Sequence, residues 1–147
     1  MASQKQLVLL TAGKVSWDKW RRTYPDVQAF EPDLHGADLH GADLHDADLH
    51  GADLTEANLQ NADLSNADLR STDLRNANLS GANLTGANLL KAHLRWADLR
   101  GTIFHNANLQ EADFSNTDLR GAQLDGASLI KTIFEHTTMP SAHPKQG

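Results

Sequence analysis

Four histidines, His35, His40, His45 and His50, recur at five-residue intervals. Imidazole is the commonest metal ligand and the side chain that titrates nearest neutrality, so a metal centre is the first chemistry to weigh. A zinc site needs donors that converge to about 2.1 Å of one point. If each five-residue unit makes one turn of the chain, four consecutive histidines point in four directions. The residues twenty further on, Thr55, Gln60, Ser65 and Arg70, supply no second set of histidines. No metal and no cofactor is expected. A titration remains: the acidic stretch carrying these histidines is neutralised as they protonate near pH 6.

The second constellation is basic. Arg75 and Arg95 are twenty residues apart, and so are Arg100 and Arg120. If twenty residues close one coil, each pair stacks on one face, and the four arginines become candidate partner-binding residues for an acidic protein. Stacked like charges repel, with Asp73, Asp98 and Asp118 close enough in sequence to offset the cost. The competing reading is a solvated surface that resists edge-to-edge aggregation.

The third is acidic. From Asp33 to Leu69 there are nine acidic residues and no Lys or Arg, whereas from Arg70 to His136 acids and bases number seven each. Such a band imitates the charge of nucleic acid, or simply reflects Asp bonding to turn amides. No nucleophile–base pair, phosphate loop or cysteine supports catalysis, so a non-enzymatic role is expected.

The elements that must hold these groups follow from the period. From Leu34 to Phe134 a large apolar residue recurs every five positions, Leu throughout except at Phe104, Phe114 and Phe134. Two residues before each stands a small one, usually Ala, with Thr at 72, 102, 117 and 132 and Pro at 32. A period of five fits neither a helix nor an ordinary strand. Each pentad therefore pairs a short extended segment with a tight turn, where Gly and Asn tolerate positive φ. Four turns close a coil of twenty, and coils stack at the inter-strand spacing of about 4.8 Å.

The units Ala37-Asp38-Leu39-His40-Gly41 and Ala82-Asn83-Leu84-Thr85-Gly86 resemble the pentapeptide-repeat proteins, over residues 32 to 136. The resemblance implies an all-β solenoid, a right-handed quadrilateral parallel β-helix of about five coils. The stretch from Val15 to Arg22 leading into Pro32-Asp33-Leu34 is similar to a leader on cyanobacterial members. Some relatives bind DNA gyrase and confer quinolone resistance, so the resemblance also admits a DNA-mimic regulator. Those relatives look longer than this chain.

A solenoid needs caps. Residues 1–31 carry helix formers with Leu7, Leu10, Trp17 and Trp20 as anchors and Gly13 as a break, and are read as a helical cap on the 32–136 β-helix. Residues 137–147, with two prolines, are read as a flexible tail. Ile130 and Ile133 fall on outward positions beside Phe134, which points to tail docking or a subunit contact. A monomer or an end-to-end homodimer through this terminal coil is expected.

Composition narrows the partners. The net charge of −6 argues against direct nucleic-acid binding. No stretch is apolar enough to span a bilayer or to serve as a signal peptide, so no membrane partner and a cytoplasmic location are expected. The leading function is a scaffold or protein-interaction module whose flat faces are the recognition surface.

Overall fold

The computed structural model describes residues 2–23 and 31–141. The link between cap and first coil, at 24–30, and the last six residues of the tail lie outside the described residues. Two helices come first, α1 (Gln4–Thr11) and α2 (Lys14–Thr23), separated by Gly13 at φ 113. Everything after is solenoid. Each parallel bridge joins a residue to the one twenty positions on, from Asp33 with Asp53 to Asp118 with Thr138. The ladder therefore reaches two residues into the segment expected as tail.

Each pentad is held the same way. The Ala37 amide donates to the Leu34 carbonyl at 3.0 Å, closing a turn whose third residue, Gly36, has φ 67. That backbone conformation suits glycine and is tolerated by Asn and Asp. The Asp33 carboxylate accepts from the His35 amide at 3.2 Å, and Asp38, Asp43 and Asp48 repeat the bond two residues on. The consensus Asp is thus a turn-closing group. Between coils, the Leu34 amide donates to the Asp53 carbonyl and the Asp53 amide to the Pro32 carbonyl, both at 2.8 Å.

The shaft is filled by the five-residue series. Every central residue from Leu34 to Leu119 is buried, with the small residues packed beside them. Where Thr replaces Ala, its hydroxyl is satisfied: Thr72 Oγ1 donates to the Leu69 carbonyl and Thr102 Oγ1 to the Leu79 carbonyl, each at 2.8 Å. Phe114 stands between Phe104 and Phe134, with ring centroids 5.8 and 5.5 Å away, and this aromatic column fills the last coils. The alternation does not stay sealed to the end, because Leu129 is 41% exposed and Leu124 and Phe134 are half-buried.

The helices close the first coil, as the anchors imply. The Ser3 amide donates to the Asp33 carbonyl at 3.0 Å, and the Asp33 amide donates to Oε1 of buried Gln6 at 2.5 Å. Trp17 is fully buried against Trp20, and its Nε1 donates to the Asp48 carbonyl at 2.6 Å. These donors meet edge groups that no preceding coil can satisfy.

Candidate functional site

In a strand, side chains alternate between faces, so the residues before and after a central Leu both point outward. That geometry decides what the arginines do. Arg75 grips Asp73, two residues back, with Nε to Oδ1 at 2.8 Å and Nη2 to Oδ2 at 2.6 Å. Arg100 holds Asp98 at 2.9 and 2.7 Å, Arg120 holds Asp118 at 2.9 and 2.6 Å, and Arg70 holds Asp68 at 2.8 and 2.7 Å. The clamp lowers the Asp98 and Asp118 carboxyls and raises the partner guanidiniums. For Asp73, burial pushes the pKa up, but the bonds from Arg75 leave it below the ordinary value.

Arg95 breaks the series. His93 occupies the position where an Asp would hold it, and its nearest carboxylate is Asp113 of the next coil, 3.4 Å from Nε. The stacking expected from the sequence is present: Arg75, His93 and Arg95 line one open groove of about 450 Å³ with Asp73 and Asp113. Arg100 lies on another face, in a groove of about 390 Å³ shared with Asp98, Asp118, His136 and Trp96. The four candidate arginines are therefore not one basic strip. All four are paired with a carboxylate, three by two-bond clamps and Arg95 by the looser contact to Asp113.

Trp96 was not among the residues singled out by motif. It occupies a turn corner at φ 64 and stands 64% exposed; its amide donates to the Ser115 carbonyl at 3.2 Å, but its indole makes no hydrogen bond or ring contact among the described residues. The signal was a lone aromatic in the column otherwise filled by Gly36, Glu56, Asn76, Asn116 and His136.

The four histidines point to different faces as expected, but two of them meet carboxylates. Asp43, His45 and Asp63 each offer an atom within 4.8 Å of the others, and so do Asp48, His50 and Asp68. Comparing histidines only with histidines hid these sets, in which aspartates from two coils flank one imidazole. The second is already covered by a cation of the cap, since Arg21 Nη2 lies 3.0 Å from His50 Nε2 and donates to the His50 carbonyl at 2.9 Å. Burial there pushes the Arg21 pKa down. His40 and His45 donate from Nδ1 to Asp38 and Asp43, which raises the imidazoles and lowers the carboxyls. At the far end Leu129, Ile130, Ile133 and Met139 are exposed together.

The family profile described as pentapeptide repeats (8 copies) matches three stretches, residues 33–70, 67–106 and 107–142. Among solved structures the chain is similar to the pentapeptide repeat protein Rfr23 of the cyanobacterium Cyanothece 51142. That likeness has 27% identity, a TM-score of 0.64, and spans 74% of this chain and 90% of that one. The pentapeptide repeat protein alr5209 of Nostoc PCC 7120 is 31% identical over 74% of this chain and 78% of its own, with a TM-score of 0.48. QnrB1, a plasmid-mediated fluoroquinolone resistance protein, shares the fold at 24% identity and a TM-score of 0.55, over 72% of this chain and 60% of that one. Comparison with curated proteins gives no match. Repeat profile, ladder and neighbours agree: the chain belongs to the pentapeptide-repeat family and is a right-handed quadrilateral β-helix with an N-terminal helical cap.

Proposed function

We propose that this chain is a non-catalytic interaction module that binds a partner protein through its outer faces. The reading is supported by the interior. The shaft is filled by buried side chains from Leu34 to Leu119, so a ligand must bind outside. Flat walls bearing Arg75, Arg95, Arg100 and Arg120 are the contact surface, and the exposed Leu129, Ile130, Ile133 and Met139 are where two copies pair end to end. Immobilised chain is to be challenged with native lysate at low and moderate salt, beside a variant with the four arginines changed to Ala. A discrete partner held by the parent and lost by the variant supports the reading. Capture unaffected by the four changes would move the contact off these faces. Light scattering on the chain and on Ile130→Lys tests the pairing, which a monomeric parent would refute.

A second reading has one observation in its favour. Asp43 pairs with Asp63 and Asp48 with Asp68 in register, so acidic groups rank along the axis. On this reading the chain is a DNA mimic that regulates DNA gyrase. It predicts salt-sensitive competition with DNA, abolished when those four residues become Asn.

A further inference from the structure

The arginines of the coils differ in one respect that stacking alone does not reveal. Arg70, Arg75, Arg100 and Arg120 each spend two or more N–H groups on a carboxylate two residues back. Arg95 makes no side-chain hydrogen bond among the described residues, because His93 stands where its clamp would be. Its one ion pair is loose: Nε lies 3.4 Å from Asp113 Oδ2, while Oδ1 of that carboxylate accepts from the Ser115 amide at 2.9 Å and from the Ser115 hydroxyl. Arg95 therefore keeps its Nη donors in a planar fork suited to an incoming carboxylate.

The next residue is Trp96. An exposed indole at positive φ is costly to the isolated chain twice over, through hydrated apolar surface and through a backbone conformation that bulky residues avoid. Trp and Arg are also the residue types that dominate interface energetics. Here they are neighbours at one corner, between the two open grooves.

Resting on the reading of the chain as an interaction module, we propose that Arg95 and Trp96 together recognise an acidic segment of a partner protein. A carboxylate seats on the Arg95 guanidinium and an adjacent aliphatic side chain packs on the Trp96 indole. Charge complementarity selects the occupant, since the Arg95 guanidinium has only a 3.4 Å ion pair to Asp113 where the other coil arginines are clamped at 2.6–2.9 Å.

The test uses the full chain, labelled with ¹⁵N, and a blocked peptide of alternating glutamate and leucine. The Trp96 indole N–H is the reporter, while the buried Trp17 indole reports on the fold. A saturable Trp96 shift is expected, at least fivefold weaker for the glutamine version of the peptide. The shift should vanish in Arg95→Ala and in His93→Asp, which supplies the missing clamp, and persist in Arg70→Ala, where the arginine removed is one already clamped by Asp68. An absent shift, an equal response to the glutamine peptide, or survival of the shift in His93→Asp would overturn the proposal, provided the Trp17 signal is unmoved. A protein partner captured equally by parent, Arg95→Ala and His93→Asp would also overturn it, while leaving the module reading in place.

Discussion

Replacing Leu79 by Ala removes three carbons from the middle of a shaft that cannot close around the gap. Leu79 is fully buried, and its amide is held to the Asp98 carbonyl at 2.8 Å. Leu59 and Leu99, one coil away on either side, are pinned by the same ladder and cannot slide in. Burying a Leu is worth about 1.5–3 kcal/mol, and an unrelaxed cavity brings the total for Leu→Ala to about 3–5 kcal/mol. The expected loss is about 4 kcal/mol. With a urea m-value of about 2 kcal/mol/M, the midpoint falls by about 2 M. Leu129 supplies the control: it is 41% exposed on the last coil, so the same change should cost about 1 kcal/mol and move the midpoint by about 0.5 M. Urea unfolding followed by far-ultraviolet circular dichroism measures both, and an unchanged m-value certifies that cooperativity survives. Equal midpoint shifts at the two positions would refute the argument that burial in a rigid shaft sets the cost.

Three further outcomes follow from the same contacts. Leu79→Lys places a charge in the shaft without a partner and should yield insoluble or uncooperative protein, so a soluble, cooperatively unfolding variant would contradict the filled core. Trp17→Phe deletes the donor to the Asp48 carbonyl and leaves a void where the larger indole was fully buried, so it should cost about 2–4 kcal/mol in a thermal melt and speed exchange of first-coil amides; no change would mean the cap contact contributes nothing. His40 and His45 are raised above the ordinary imidazole value of 6.5 by their bonds to Asp38 and Asp43, themselves lowered from 3.8. Each pair's stabilisation is therefore complete below pH 6.5 on the imidazole side and disappears as pH climbs through the raised folded values. In acid it is lost as the lowered carboxyls protonate. Proton NMR should give midpoints above 6.5 for both histidines, with His40 falling back in Asp38→Asn; an unmoved His40 would sever the pair.

The repeat made the core and the turn legible, because a five-residue period with large and small residues at fixed offsets leaves one economical packing. Asp38 bonding the next turn amide was readable for the same reason. Asp73, Asp98 and Asp118 were legible as neighbours that offset the stacked arginines, but not the two-bond grip each makes on the arginine two residues on, because stacking from Arg75 to Arg95 looks along the axis while the stronger partner lies sideways. A period-two reading of the same strand would have found it. His93 and Trp96 are single departures, and a pattern read for its regularity passes over what interrupts it. Exposure of the final coil is not written in Leu124 or Leu129 at all, since burial there depends on what lies above them.

The twenty-residue ladder also makes the molecule's faces discrete. Insertion of one pentad between Asn76 and Trp96 would leave core and turns intact, yet turn every later residue a quarter of the way around the axis. Arg95 would leave the wall of Arg75 and join a neighbouring one, and the corner carrying Trp96 would move with it. A twenty-residue duplication, by contrast, would lengthen the rod and return each wall to its place. Such a chain can therefore drift in length and composition with little penalty to folding, while its surface pattern changes only in right-angled steps. Lineages built on it should differ less in how they fold than in which side chains share a wall.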